Sequence, residues 1–298
     1  MTTRVIVVAK RSFYSRFVEE ESDPRARALI RHNDRSVKNW LPAHREHLST
    51  LESVEKVLAD VGAHVLLLRG AHAAFHTSDA SLVITVGGDG TLLAASHNVA
   101  QVPVLGVNSA PRHSIGFFCA ANKKTLREHI LGALDGRLKS VTLARMRVTV
   151  NGRVRSERVL NEALFCHASP AATSRYILRF RGKVEEQRSS GLWIGPAAGS
   201  TAAQRSAGGE VLPLRSRDLQ LVVREPYLAY GRSYRLLKLR VTPRQSLTLQ
   251  SKMQSACLFL DGPYKQIPVQ LGDDVGFSVS DQPLCVLGLD ARRSRSAA

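Results

Sequence analysis

The 298-residue sequence predicts an α/β domain followed by a β-rich domain. Three observations carry this fold class. Up to about residue 137, short β-branched runs alternate with segments of helical periodicity, the pattern of a mostly parallel sheet with helices on its faces. From about residue 138, helical periodicity nearly vanishes and short alternating strands follow one another. The closing apolar run "PLCVLGL" reads as a buried strand returning to the first domain. The expected division is 1–137, completed by 284–298, and 138–283.

The elements follow in order. "RVIVVA" (4–9) reads as a buried strand, and the charge-rich residues 10–44 as a long connection with some helix. Leu48, Leu51, Val54, Leu58 and Val61 recur every three to four residues, which is one face of a helix over 44–61. Gly62 sits where a glycine commonly ends one. "HVLLL" (64–68), "LVITV" (82–86) and "VPVLGV" (102–107) are further strands, with a helix expected from Thr91. Leu126, Ile130 and Leu134 share one face of a helix that ends at Gly136. Beyond it, "VTLARMRVTVNGRVRSERVL" is two strands about an Asn-Gly turn, the strongest short hairpin signal. "SRYILRF", "GLWIG", "QSLTLQS", "ACLFLDG", "KQIPVQL" and "VGFSVS" continue the series, interrupted by a small-residue segment near 200–208 that suits a short helix.

Composition excludes several classes. No apolar run approaches the roughly 20 residues of a membrane span. The opening "MTTRVIVVAKRSF" holds too short an apolar stretch for a signal peptide. A cytoplasmic protein without membrane contact is therefore expected. Cys119, Cys166, Cys257 and Cys285 are widely separated among apolar or small neighbours, so buried free thiols are expected. His72 and His76 have helix-face spacing within a stretch that looks like a connector, and no metal site is assigned to them. The formal net charge is +17, yet the bases are dispersed and aromatics are only 6%, so specific nucleic-acid binding is not expected. A basic surface attracts anionic ligands in general. The tail "ARRSRSAA" reads as a frayed end.

Two glycine-rich segments carry the chemistry. In "ITVGGDGTLLAASH" (84–97) a strand runs into Gly87-Gly88-Asp89-Gly90 and then a helix. Glycines permit positive φ and close approach of a ligand to the main chain. A helix N-terminus adds partial positive charge, so the turn suits a phosphate. The spacing is neither that of a Walker A loop nor GxGxxG. A carboxylate at Asp89 would repel phosphate, so it needs another role. It could hold Mg²⁺, accept a hydroxyl proton during phosphoryl transfer, or cap the helix. The second segment, "SSGLWIGPAAGSTAAQRSAGG" (189–209), offers small side chains against which a flat ligand can lie, or simply a tightly packed helix. Two such segments in two domains suggest a ligand held between them.

"TVGGDGTLL" resembles a signature shared by NAD kinases, ATP-dependent phosphofructokinases and diacylglycerol-type lipid kinases. "LNEALF" (160–165) followed by "GSTAAQRSAGG" narrows the resemblance to NAD kinases, and "GVNSAPRHSIGFFCA" matches their Gly-Val-Asn element. With "SRDLQ", "VREP" and "VQLGD" in order, residues 82–289 are similar to the plant-type NADH kinase branch of that family.

The resemblance implies an N-terminal Rossmann-like, phosphofructokinase-like α/β domain, a C-terminal β-sandwich-like domain, and a dinucleotide between them. It implies transfer of the ATP γ-phosphate, with Mg²⁺, to the 2′-hydroxyl of the adenosine ribose of NAD⁺ or NADH. Relatives are commonly oligomers, so a homodimer is expected. Asp89 falls on the family's catalytic aspartate. A carboxylate is a weak base for an alcohol, so orienting the hydroxyl is expected to be the larger part of its work. Asn161 and Glu162 fall on the pair that binds the adenosine side. Gly87, Gly88 and Gly90 would lie beside phosphate, with Asn108 near the same turn. Thr201, Ala202 and Ser206 fall in the segment lining the dinucleotide site, and Arg175 is a cation that could meet the pyrophosphate.

The departures from the family pattern have a consequence. Ser190-Gly191 stands where the family has Asp-Gly, Ala197-Ala198 where it has Pro-Thr, and Ala203 where it has Tyr. The family's Asp lies toward the nicotinamide half. An anion there favours the positively charged NAD⁺ ring over NADH by about 1 kcal/mol in a partly wet site. With Ser190 in its place, NADH is expected to be accepted at least as well as NAD⁺. The competing readings are a lipid or small-alcohol kinase sharing the GGDG turn, and a basic nucleotide- or nucleic-acid-binding protein without turnover.

Overall fold

The computed structural model describes residues 3–228 and 233–291, so the tail expected to fray lies almost wholly outside the described residues. The chain divides into two compact units, one running up to Val141 and including Cys285–Asp290, the other Thr142–Leu284.

The first unit opens with β1 (Arg4–Ala9), a π-helical turn (Tyr14–Glu20) and α1 (Pro24–Arg31). Asp23 caps α1 by accepting from the Ala26 N–H at 2.7 Å. Then come α2 (Trp40–Asp60), β2 (His64–Arg69), β3 (Leu82–Gly87), α3 (Asp89–Ser96), β4 (Val104–Asn108), β5 (Ala121–Asn122), α4 (Leu126–Leu134) and β6 (Ser140–Leu143). The second unit holds β7 (Met146–Val150), β8 (Arg153–Val159), β9 (Ala163–His167), β10 (Ser174–Phe180), β11 (Lys183–Ser189) and β12 (Leu192–Pro196). A 3-10 turn (Ala197–Gly199) and the short α5 (Ala203–Ser206) follow. The series ends with β13 (Leu219–Val223), β14 (Lys238–Val241), β15 (Ser246–Ser251), β16 (Ala256–Leu260), β17 (Lys265–Val269) and β18 (Asp274–Val279). A last strand, β19 (Leu284–Leu287), pairs parallel to β4 through Val286 and Val104.

The sheet of the first unit has the order β2-β1-β3-β4-β19-β6, with β5 also paired to β4. β1, β2, β3 and β4 are parallel to their neighbours in it. Its core packs Val5, Val7, Ile84, Val86 and Leu105 with Leu51, Val54 and Leu58 from α2 and Ile130 from α4. The second unit has two antiparallel six-stranded sheets, β11-β10-β15-β18-β7-β8 and β14-β13-β12-β9-β16-β17. Alternate residues of both enter one core, with Val148, Tyr176, Leu249 and Phe277 from the first sheet and Phe165, Ile194, Leu221 and Leu258 from the second. This is the sandwich logic of inward-facing alternate positions. Asn151 and Gly152 take φ of +51° and +75°, the left-handed pair that a two-residue β7–β8 hairpin needs.

Several expectations require correction. α2 begins at Trp40 rather than His44, because Pro42 lies in its first turn, where its missing N–H leaves no bond unmade. α3 begins at Asp89 rather than Thr91. β9, β11, β13 and β14 lie outside the strands read from the sequence. β11, "KVEEQRS", has one hydrophobic residue, Val184, itself exposed, and carries no hydrophobic run. None of the four cysteines is in a disulfide, but only Cys119 and Cys257 are buried; Cys166 and Cys285 are half-exposed.

Candidate active site

In the first unit the candidate residues gather at the carboxyl end of β3. The sheet order reverses direction between β1 and β3, and the crevice outside the carboxyl ends at such a point is where open α/β sheets bind ligands. The glycines of the turn act differently from expectation. Gly87, Gly88 and Gly90 are absent from the left-handed backbone positions, and Gly88 is extended, with φ −110° and ψ −163°. Space explains two of them. A Cβ on Gly87 would run into the Thr91 side chain, and one on Gly88 into the Ser114 hydroxyl. Gly90 faces open space.

Asp89 does not cap the helix. Gly88 occupies the N-cap position, and Asp89 is the first helical residue. Its carboxylate reaches the loop after β4 instead, where Oδ2 accepts from the Phe117 N–H at 2.9 Å and Oδ1 from the Phe118 N–H at 2.8 Å. Each oxygen keeps a further lone pair for a ligand. Asn108 braces the same loop. Its Nδ2 donates to the Ser114 carbonyl at 3.0 Å, and its Oδ1 accepts from the Ala110 N–H at 3.3 Å. Gly116, at φ +64°, passes so close that a Cβ there would strike the Asn108 amide. The structure thus brings Gly88, Asp89 and Asn108 onto one loop, and the amide of Asn108 is spent on shaping it.

In the second unit the site forms at the entry to β9. Asp261, in the tight turn between β16 and β17, accepts from the Leu160 N–H at 2.9 Å, the Asn161 N–H at 2.7 Å and the Glu162 N–H at 3.2 Å. The Asn161 carbonyl oxygen accepts from Gln204 Nε2 at 3.3 Å. It also faces Gly195 and Gly199, where any Cβ would collide with it. With the backbone committed in this way, the side chains are left over. Asn161 Oδ1 and Glu162 Oε2 are both buried without a hydrogen-bond partner. Burial, and then the negative charge of Asp261, push Glu162 up to about 8. Orphaned buried acceptors cost free energy that a ligand bearing hydroxyl or amino donors would offset.

The remaining candidates are distributed. Gly199 abuts Asn161, and Ser200 is fully buried, its hydroxyl donating to the Ala197 carbonyl at 2.7 Å and accepting from the Leu212 N–H at 2.9 Å. Thr201 is half-buried, while Ala202 and Ser206 are exposed. Ser190 lines a separate cavity of about 280 Å³ with Cys166, His167 and Arg224, whose guanidinium sits 5.6 Å from the centre of the Trp193 ring. Arg175 is exposed on β10, in the other sheet from β9, opposite Arg188 of β11. Asp261 escaped sequence reading. "LDG" signals only a turn, and its partners lie a hundred residues earlier. Among the described residues no group of three or more His, Cys, Asp or Glu side chains is placed to hold a metal, and no helix is long and apolar enough to cross a membrane.

Comparison with known proteins gives the family. The family model for the ATP-NAD kinase N-terminal domain matches residues 27–136. A probable NADH kinase of Oryza sativa subsp. japonica is 34% identical over 278 residues, covering 86% of this chain and 85% of that protein. An NADH kinase of Arabidopsis thaliana is 38% identical over 233 residues, covering 69% and 72%. Among solved structures, the fold is shared with yeast NADH kinase complexed with NADH, at a TM-score of 0.71, 15% identity and coverage of 100% and 86%. It is shared also with an NAD kinase from Archaeoglobus fulgidus in complex with ATP, at 0.70, 18%, 99% and 96%. With relatives of 34% and 38% identity covering 86% and 69% of its length, the chain belongs to the NAD kinase family.

Proposed function

We propose that this chain transfers the γ-phosphate of ATP to the 2′-hydroxyl of the adenosine ribose of NAD⁺ or NADH, giving NADP⁺ or NADPH. The observation that carries the reading is the pair of buried, unpartnered acceptors, Asn161 Oδ1 and Glu162 Oε2, beside Gly199. Ribose hydroxyls and an adenine amino group are donors of the kind these oxygens lack. Asp89 acts on the reacting hydroxyl. The two amides of Phe117 and Phe118 fix the direction of its carboxylate. A free lone pair accepts the 2′-hydroxyl hydrogen bond as the oxygen attacks phosphorus. The proton passes to Asp89 late, as the bond to the ADP oxygen breaks. Gly90, open to solvent, lets phosphate approach the turn. Mg²⁺ would arrive on the ATP oxygens and neutralise charge there, with Asp89 the one carboxylate of the turn able to add a protein ligand.

NADH is accepted at least as well as NAD⁺ in this reading, because Ser190 stands in its cavity where the family has an aspartate, and the lining's one cation, Arg224, is balanced by Glu225. Residues 1–137 with the closing strand form the phosphate-handling domain, and 138–283 the dinucleotide-binding domain. Thr201, Ala202, Ser206 and Arg175 are the further contacts we assign to the dinucleotide. The same reading makes the enzyme a cytoplasmic homodimer. The test is an assay of NADP⁺ and NADPH formation with ATP and Mg²⁺, comparing wild type with Asp89→Asn. Product from wild type and a loss of about 10²-fold or more in the variant are expected. Activity of the variant within threefold of wild type would remove Asp89 from the mechanism.

A further inference from the structure

Two cysteines of the second unit face each other across neighbouring strands. β9 and β16 run antiparallel, and Cys166 stands opposite Cys257 in their register. The next pair along, Phe165 and Leu258, enters the sandwich core, so both cysteines project from the other face of the sheet. The ladder sets their spacing. The Ala168 N–H donates to the Ser255 carbonyl and the Asp261 N–H to the Glu162 carbonyl, each at 3.0 Å. By the alternation of an antiparallel ladder, Cys166 and Cys257 then form a pair that exchanges both backbone hydrogen bonds, with Cα atoms about 5.5 Å apart. That lies inside the range of disulfide-linked residues, about 4.4–6.8 Å. Cβ atoms of facing residues are about 4.5–5.5 Å apart, against about 3.5–4.5 Å in a disulfide, so closing the bond draws the two strands together. A bond made under such strain is readily reduced again.

The two thiols differ in access. Cys166 is half-exposed and lines the cavity of about 280 Å³ that also holds Ser190 and Arg224, whereas Cys257 is buried. Cys257 Sγ donates to the Leu258 carbonyl at 3.6 Å, a weak bond that closure gives up. On its other side Cys166 meets the entry to β12. A Cβ on Gly191 would come within 2.8 Å of the Cys166 Cβ, so the glycine makes room for this side chain. The Gly191 carbonyl accepts from the Arg224 N–H at 2.8 Å, and the Ser190 N–H donates to the Arg224 carbonyl at 3.0 Å. Movement of Cys166 toward Cys257 therefore reshapes the wall that carries Ser190. Burial holds both thiols above their ordinary value; for Cys166 the nearby Cys257 adds to this and Arg224 opposes it. Attack by the thiolate is accordingly slow at neutral pH and quickens as pH rises.

We infer that Cys166 and Cys257 are a redox-active dithiol, which closes reversibly to a cross-strand disulfide by exchange with a low-molecular-weight disulfide entering through the cavity. The Cys166 sulfur gives its proton to solvent, attacks one sulfur of the reagent and expels a thiolate, which takes up a proton. The Cys257 sulfur then gives up its proton, attacks the Cys166 sulfur of the mixed disulfide and expels the second thiolate, protonated in turn. Two protein S–H bonds become one S–S bond, and the S–S bond of the reagent becomes two thiols. The effect of closure on the dinucleotide rests on the kinase reading above; the bond itself does not.

The test treats folded, full-length protein with oxidised glutathione at pH 8, blocks remaining thiols by alkylation, and maps the peptides by mass spectrometry, with a dithiothreitol-treated sample alongside. Wild type should yield a peptide pair joined through Cys166 and Cys257 that reduction separates. Cys257→Ser should stop at a mixed disulfide on Cys166, and Cys166→Ser should leave Cys257 unmodified. After oxidation, KM for NADH in wild type should rise about threefold or more, as expected where a binding wall shifts by a fraction of an ångström, while KM for ATP stays within about twofold and dithiothreitol restores both. Cys166 and Cys257 both still alkylatable after a day of treatment overturn the inference, and this result needs no variant. A mixed disulfide that persists on Cys166 in wild type overturns the closure step. A joined pair with KM for NADH unchanged overturns the link to the dinucleotide. Reduced wild type that forms no NADP⁺ or NADPH fails the kinase reading instead, a separate result because the peptide map is read without turnover.

Discussion

Replacing Glu162 by Gln should make the free protein more stable at alkaline pH, by an amount that follows from the burial of one carboxyl. Glu162 is 9% exposed, its Oε2 has no partner, and Asp261 lies near enough to repel its ionised form. Its folded value of about 8 stands against an ordinary 4.5. Below pH 4.5 the folded and unfolded chains both hold the proton, and Gln is a close neutral substitute. Between pH 4.5 and 8 the unfolded chain releases the proton while the folded chain keeps it. Stability contributed by the neutral form is therefore lost as pH rises toward the folded value. At about 1.4 kcal/mol per pH unit, the loss by pH 8 is on the order of 4 kcal/mol. Urea unfolding of wild type and Glu162→Gln at pH 5, 6.5 and 8 reads the difference directly, since all other titrating groups are common to both. The variant should start near parity at pH 5 and gain steadily. A difference that stays constant within about 0.5 kcal/mol across this range would refute the reasoning, and with it the claim that Glu162 waits unpaired for a ligand.

Three further outcomes follow from the geometry. Ser190→Asp should raise the ratio of kcat/KM for NAD⁺ over NADH by about fivefold, the effect of about 1 kcal/mol of charge attraction; an unchanged ratio removes the electrostatic account of redox preference. Gly199→Ala should lower stability by about 2 kcal/mol or more in urea unfolding, because its Cβ would collide with the Asn161 carbonyl. Gly90→Ala meets open space and should keep wild-type stability while losing activity, so equal stability losses in the two variants would contradict the packing argument. Asp261→Ala should lower stability by about 1–3 kcal/mol through the three backbone N–H groups it leaves unmet, and should raise KM for the dinucleotide by loosening Asn161 and Glu162; a variant with wild-type KM would show that Asp261 is structural alone.

Local signals carried the parts of the fold that depend on neighbours in the chain. The Asn151-Gly152 turn needs two left-handed residues, and its sequence supplies them. The helix ending at Gly62, φ +66°, and the one ending at Gly136, φ +70°, stop where only a glycine is comfortable. Among the strands, β11 gave no such signal, since its residues are mostly charged or small and polar, and its place at the sheet edge comes from pairing with β10.

The candidate site divides along the same line. Gly87 to Gly90, Asn161 and Glu162 are conspicuous as residues, because glycines beside a lone carboxylate, or an amide beside an acid at a strand entry, have few structural uses. What they do was decided at a distance. The sequence suggested positive φ at the GGDG glycines; the structure shows extended and helical backbone there, with Thr91 and Ser114 taking the space a Cβ would need. It allowed Asp89 to cap its own helix, whereas the carboxylate reaches residues 117 and 118. Asp261 and Gln204, from elsewhere in the chain, hold the backbone of Asn161 and Glu162, and tertiary packing buries Asn161 Oδ1 and Glu162 Oε2 without a partner. Helix stops, turns and the strand–helix alternation are short-range consequences of φ, ψ and side-chain periodicity, so the sequence alone determines them. Which buried polar atom is satisfied and which is left for a ligand is an accounting across the whole fold, and only tertiary packing completes it.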